Sequence, residues 1–187
     1  PAAQGKITHW NQVNASWPNA PIKLFGAGAD SGTFDYFTEA INGKSKASRG
    51  DFTASEDDNV LVQGVSRDVN ALGFFGFAYY AENKDKLKSV PIVEKDGKPA
   101  VAPSEQSVID GTYQPLARPI FIYVNSKALA KPEVKEFANY YIAHAAQLAK
   151  EVKYVPLPDR IYKAGLPRLS KMEKSTAFAG HADVGVK

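Results

Sequence analysis

The chain has 187 residues, 44% of them hydrophobic and 23% charged, enough apolar material for a packed core and too much for an intrinsically disordered segment. Its 23 basic and 20 acidic residues are interspersed and leave a formal charge of +3, without the basic block of a nucleic-acid tract. The absence of cysteine removes disulfide frameworks, thiolate zinc sites and thiol nucleophiles together and suits an exported protein, and no stretch reaches the roughly 20 apolar residues needed to cross a bilayer.

In chain order, Gly5 to Pro18 carries Trp10 and Trp17 in a polar, turn-rich setting and reads as a surface connection anchored by aromatics. The run Pro21-Ile22-Lys23-Leu24-Phe25 predicts a short strand. A small-residue turn, Gly26 to Thr33, follows, and then a helix with Phe34, Phe37 and Ile41 on one face, stopped at Asn42-Gly43-Lys44. Ser55-Glu56-Asp57-Asp58 reads as the start of a second helix, with acidic residues in its first turn before Val60, Leu61 and Val65. The segment Ala71 to Tyr80 is apolar throughout and predicts a buried strand with close backbone contact at its glycines.

From Leu87 onward short strands and turns are expected, with Lys95-Asp96-Gly97-Lys98 as a hairpin turn between Val90–Val93 and Ala100-Val101. Arg118 to Val124 has the composition of a strand. Pro132 to Val152 predicts a helix with Val134, Phe137, Tyr141, Ala145 and Leu148 on its apolar face, and Asp159 to Ala164 a short final one. Helices alternate with strands and no internal repeat is present, so the fold class is α/β.

The segment with most chemical content is Asp30-Ser31-Gly32-Thr33 at a helix start. The first N–H groups of a helix lack internal partners and carry the positive end of its dipole, so an anion fits there; Ser31 and Thr33 add hydroxyl donors and Gly32 lets the backbone come close. The same residues serve equally well as a capping turn that answers only to the helix. Asp-Ser-Gly-Thr also marks aspartic proteases, but their second carboxylate motif is missing and the residues before Asp30 are Gly-Ala-Gly-Ala instead of a bulky strand. The Gly-x-x-x-x-Gly-Lys-Ser/Thr pattern of a phosphate-cradling loop is missing too. His9, His144 and His181 are far apart and read as surface or boundary residues, the acidic run 55–58 as helix capping, and the aromatics Phe74 to Tyr80 as buried strand.

The segments Gly5-Lys6-Ile7-Thr8-His9-Trp10-Asn11, Asp30-Ser31-Gly32-Thr33-Phe34, Ala71-Leu72-Gly73-Phe74 and Arg118-Pro119-Ile120-Phe121-Ile122, in that order and spacing, resemble the phosphate-binding proteins of bacterial ABC phosphate importers. That resemblance covers most of the chain. It implies a periplasmic-binding-protein-like fold of type II, in which two lobes joined by hinge strands close on phosphate, and it implies a binding protein, not an enzyme. By the same resemblance Ser31, Gly32 and Thr33 donate to phosphate. An arginine that the family often places four residues before the serine is replaced here by Ala27. Arg49 is the candidate substitute, since a guanidinium makes forked contacts with oxyanions, and Asp30 is the carboxylate expected to hold it.

The resemblance further implies that residues 1–116 form most of the second lobe and 117–187 the C-terminal part of the first, with a hinge near Gln114 to Pro119. The N-terminal part of the first lobe, with its ligand groups, is then missing from this sequence. The implied partners are inorganic phosphate, the membrane permease of an ABC importer and that missing N-terminal segment; no cofactor and no nucleic acid is implied, and the place is periplasmic or cell-surface. Alternatives that remain are a binding protein for another oxyanion, a phosphate-binding sensing or adhesion protein, and a hydrolase using Ser31 as nucleophile.

Overall fold

A computed structural model of the chain describes residues 5–174, so His181 lies outside the described residues. The chain divides into two compact units between Ser89 and Val90.

The first unit is built on three parallel strands, β1 (Lys23–Ala27), β2 (Thr53–Ser55) and β3 (Ala71–Phe74), in the order β2-β1-β3. Phe25 pairs with Thr53 on one side and with Gly73 on the other. The predicted strand at residues 21–25 is thus present but shifted two residues onward. Pro21 is instead bridged to His9, and Trp10, in a 3-10 turn at Trp10–Gln12, packs edge-on against Trp17 and donates its indole N–H to Asn70 O at 3.1 Å. These two tryptophans pin the entry to the sheet, as an aromatic anchor should.

Helix α1 (Gly32–Asn42) links β1 to β2, and α2 (Asp58–Ser66) carries the chain from β2 back past β1 to β3. Because the two crossovers run in opposite directions, their right-handedness puts α1 and α2 on opposite faces. The packing agrees with this. A Cβ on Gly64 of α2 would lie 2.2 Å from the Phe25 ring, whereas the Phe74 ring stacks on Phe37 of α1 with centroids 4.0 Å apart and also lies over Gly26. Phe34, Thr38, Leu61 and Val62 are buried between these layers. Ile41, expected on the inner face of α1, is exposed because it falls in the last turn beyond the sheet. Gly43 ends α1 with a φ of 73° and donates to Glu39 O at 2.8 Å, the left-handed stop that the sequence announces.

One expectation for this unit fails. The apolar run 71–80 is not a single strand: β3 stops at Phe74, Gly76 takes an extended conformation, and α3 (Phe77–Glu82) follows. A short wholly apolar run carries no period by which strand and buried helix can be told apart.

Among the described residues the second unit holds a single antiparallel bridge, Ile92 to Val101, closed by mutual hydrogen bonds of 2.8 and 2.9 Å around the predicted turn with Gly97 at φ 82°. Then come α4 (Glu105–Ile109), α5 (Pro132–Glu151) and α6 (Asp159–Ser170), the last two packed together where Ile142 approaches Gly165. Helix α6 runs six residues beyond the predicted end and tolerates Pro167 in its interior. The predicted strand at 118–124 does not form: those residues have no regular structure and join no ladder among the described residues. Of the expected apolar face of α5, Val134, Ala145 and Leu148 are half-buried, Phe137 (67% exposed) and Tyr141 are exposed, and Ala138 is the helix's one buried residue.

Candidate functional site

In a parallel sheet each strand runs into the amino end of the helix after it, so the carboxyl edge of the sheet collects unpaired amides, and ligands favour that edge. Here three such turns, β1 to α1, β2 to α2 and β3 to α3, are stitched to one another. Gly28 N–H donates to Ser55 O at 3.1 Å, Asp30 N–H reaches Glu56 Oε1 at 3.4 Å, and Gly76 N–H donates to Asp58 Oδ2 at 3.2 Å. Glycine at 28 leaves room for the Glu56 carboxylate over this turn: a Cβ would fall 1.9 Å from Glu56 Oε1 and displace it.

At the centre of the edge, Ser31 caps α1. Its backbone is extended, its Oγ accepts the Thr33 N–H at 3.1 Å and its carbonyl accepts the Asp35 N–H at 3.2 Å. The capping role foreseen as one alternative is therefore real, but it uses only one of the three first-turn amides. The N–H groups of Gly32 and Phe34 have no protein acceptor among the described residues, and the hydroxyl of Thr33 is likewise uncommitted there. Phe34 is buried, stacked near Phe52 and Phe74, and Thr38 one turn later is buried and donates to Phe34 O at 2.8 Å. The donor cluster thus sits on a fixed helix, and little ordering would be needed for a ligand to use it.

Backbone amides and a run of acidic side chains together set the electrostatics of this edge. Glu56, Asp57 and Asp58 open α2, where Asp57 caps by accepting the Asn59 N–H at 2.9 Å. Burial pushes the Asp58 carboxyl up, partly offset by the Gly76 N–H and reinforced by the neighbouring charges of Asp57 and Glu56. Ala27 at the end of β1 is 1% exposed.

Arg49 is not held by Asp30. Its Nε and Nη2 fork onto the Asp51 carboxylate, two residues on, and Nη1 donates to Ile7 O at 2.9 Å. Asp51 is thus the carboxylate partner, two residues on in the segment before β2, while Asp30 engages Glu56 through its backbone N–H. The hydrogen bond from Arg49 holds the Asp51 carboxyl below its ordinary range and raises the guanidinium in turn. The Arg49 side chain is only 8% exposed and that of Asp51 68%. Ser31, Gly32 and Thr33 are brought together, then, while Arg49 belongs to a separate latch between the segment before β2 and the chain at Ile7.

Sequence reasoning missed two members of this edge. Glu56 was read only as helix capping, and the Asp58–Gly76 link was not foreseen; the available signal was the pair of glycines that ends β1 and β3 turns, each answered by an acidic residue of one run. Of the histidines, His9 shares a 3.0 Å contact with Thr8 Oγ1 and His144 one of 2.8 Å with Tyr140 O, and neither engages Ser31.

Residues 2–144 match the family described as the PBP superfamily domain. The chain is 54% identical over 183 residues to the protein SphX of Synechococcus elongatus, covering 98% of this chain and 54% of that protein. It is 36% identical over 175 residues to the phosphate-binding protein PstS of Staphylococcus haemolyticus, covering 92% of this chain and 53% of that one. Among solved structures, a possible phosphate binding protein of Planctomyces limnophilus superposes with a TM-score of 0.76 at 46% identity, over 90% of this chain and 60% of that one. An ABC-type phosphate transport receptor of Vibrio cholerae, at 21% identity and a TM-score of 0.56 over 82% of this chain and 59% of that one, shares the fold. The chain spans about half the length of the curated relatives it matches.

Proposed function

The chain belongs to the PBP superfamily, and from that membership we propose that it is part of an extracytoplasmic solute-binding protein that captures inorganic phosphate for an ABC importer. The observation that carries this reading is the α1 amino terminus, where two amides without an acceptor among the described residues and the hydroxyls of Ser31 and Thr33 lie together at the carboxyl edge of a parallel sheet. Such a cluster suits a tetrahedral oxyanion, and each hydrogen bond to a charged oxygen contributes about 1.5–3 kcal/mol. The relatives named phosphate-binding protein supply the identity of the anion.

On this reading Ser31, Gly32 and Thr33 bind phosphate, and Arg49 supplies the cation that the edge itself lacks. It would do so by exchanging the exposed Asp51 for the ligand, with Asp51 otherwise doing the orienting work expected of Asp30. The protein is a binding protein and not an enzyme. Residues 1–116 form most of one lobe and 117–187 part of the other, the rest of which precedes residue 1 in the longer protein, and closure of the lobes delivers phosphate to a membrane permease. Among the described residues no helix is long and apolar enough to cross a membrane. The hydrolase alternative loses ground because Ser31 Oγ is engaged by the Thr33 amide and by no histidine among the described residues.

Isothermal titration of phosphate, with sulfate as control, into this chain and into the longer protein tests the proposal. Tight, phosphate-selective binding by the longer protein is expected, with weak binding by this chain alone. Failure of both to bind phosphate would remove the ligand while leaving the family in place.

A further inference from the structure

The acidic run that opens α2 is not uniform in what its members do. Asp57 caps the helix, accepting the Asn59 backbone N–H at 2.9 Å and the Asn59 side-chain amide at 3.0 Å. Asp58, in the first turn, accepts the Gly76 N–H at 3.2 Å and ties the β3 turn to α2. Glu56 stands one residue before the cap, and its carboxylate serves no amide of α2. It reaches across to the β1 turn instead. Its Oε1 lies 3.4 Å from the Asp30 N, and a Cβ on Gly28 would meet Oε1 at 1.9 Å and Cδ at 2.6 Å. The dipole and the cap of α2, which account for its two neighbours, therefore do not account for Glu56.

The turn under Glu56 leads directly into the donors at the start of α1. Its other amides have backbone or capping partners: Gly28 N–H is taken by Ser55 O, Ser31 N–H by Gly28 O and Thr33 N–H by Ser31 Oγ, all at 3.0 to 3.1 Å. The Asp30 N–H, immediately before the cap, is answered among the described residues only by Glu56, at a separation near the outer limit of a hydrogen bond. Glu56 is exposed, and a long exposed side chain gives up rotamer freedom to hold one weak contact. A carboxylate oxygen on a backbone amide beside a helix amino terminus reproduces what an oxyanion does at such a place, and its charge repels a second anion arriving there.

We propose that Glu56 is an internal competitor at the α1 anion site: its carboxylate occupies the Asp30 amide until a tetrahedral oxyanion takes that amide and sends the side chain out into solvent. Glu56 thereby lowers the affinity for every oxyanion and sets a threshold, so that only ligands with strong contacts to the turn amides and to Ser31 and Thr33 displace it. The inference rests on reading the α1 amino terminus as an anion site and adds a regulating residue to it.

Isothermal titration of the longer protein and of its Glu56→Gln and Glu56→Ala variants, with phosphate and with sulfate, tests it. Glutamine keeps the length and an acceptor oxygen but not the charge. Loss of a like charge beside the site is expected to tighten phosphate binding about tenfold or more in Glu56→Gln and at least as much in Glu56→Ala, with sulfate gaining by the same factor. In nuclear magnetic resonance spectra taken without phosphate, the Asp30 amide signal is expected to move in Glu56→Ala, which reports the contact itself. Unchanged phosphate affinity would overturn the proposal by making Glu56 a bystander. Weaker phosphate binding in the variants would overturn it too, because the carboxylate would then be a partner of the ligand, and so would an Asp30 signal that stays in place. Phosphate binding indifferent to Glu56 removes this inference alone, whereas parent and variants that all fail to bind either anion remove the phosphate reading and this inference with it.

Discussion

Ser31 can be made to distinguish a cap from a ligand. Its Oγ takes the Thr33 amide at 3.1 Å, and aspartate caps helices as well as serine does, so Ser31→Asp should leave stability within about 0.5 kcal/mol. The same change places a carboxylate where an oxyanion oxygen would sit. At roughly 4 Å and an effective dielectric near 20, like charges repel by about 4 kcal/mol, a loss of about 1000-fold in affinity. Ser31→Ala should do the reverse in part: removal of the cap costs about 1 kcal/mol of stability, and loss of one hydrogen bond to a charged oxygen weakens phosphate binding by about 10- to 150-fold. Urea unfolding reports the first quantity and isothermal titration of the longer protein the second. A Ser31→Asp protein that folds normally and still binds phosphate would show that α1 begins with a cap and nothing more.

Arg49→Ala should weaken phosphate binding by about tenfold or more, and Arg49→Lys should not restore it, since an ammonium cannot reproduce the fork; unchanged affinity in titration removes Arg49 from the site. Asp58 gives a pH signature in the opposite sense to most carboxylates. Its folded-state value lies above the ordinary 3.8 because of burial, so the native state holds the proton longer than the unfolded chain does. The stability this contributes is complete below 3.8 and is lost as pH rises through the folded value. Asp58→Asn keeps an acceptor for the Gly76 amide and should flatten the decline in melting temperature over that window; a variant with the same slope as the parent would show that Asp58 is not its source.

What the sequence announced well was local. The turn and cap between β1 and α1, the glycine stop at Gly43 and the acidic start of α2 depend on backbone requirements that a few adjacent residues meet. What it announced poorly depends on distant partners. Arg118 to Val124 has the composition of a strand, but a strand exists only where another backbone completes the ladder, and none of the described residues does so. Phe137 and Tyr141 have the spacing of a core face, but periodicity states that a face needs covering and not what covers it. The site follows the same division. Ser31, Gly32 and Thr33 were legible because they are consecutive, whereas the Arg49–Asp51 fork and the approach of Glu56 to Gly28 are products of the fold.

Ala27 bears on where the proposed site would find a cation. The position where the resemblance places an arginine lies at the end of the central strand, 1% exposed, with Gly26 before it under the Phe74 ring and Gly28 after it under the Glu56 carboxylate. At 1% exposure the Ala27 side chain has little room to lengthen, and overpacking of a buried position typically costs about 1–3 kcal/mol. The buried end of β1 therefore suits a small residue at 27. On the proposed reading this edge draws positive charge from the helix amides and from a guanidinium carried on another segment, and Arg49, held by Asp51 and Ile7 O, is the candidate that the Arg49→Ala titration tests.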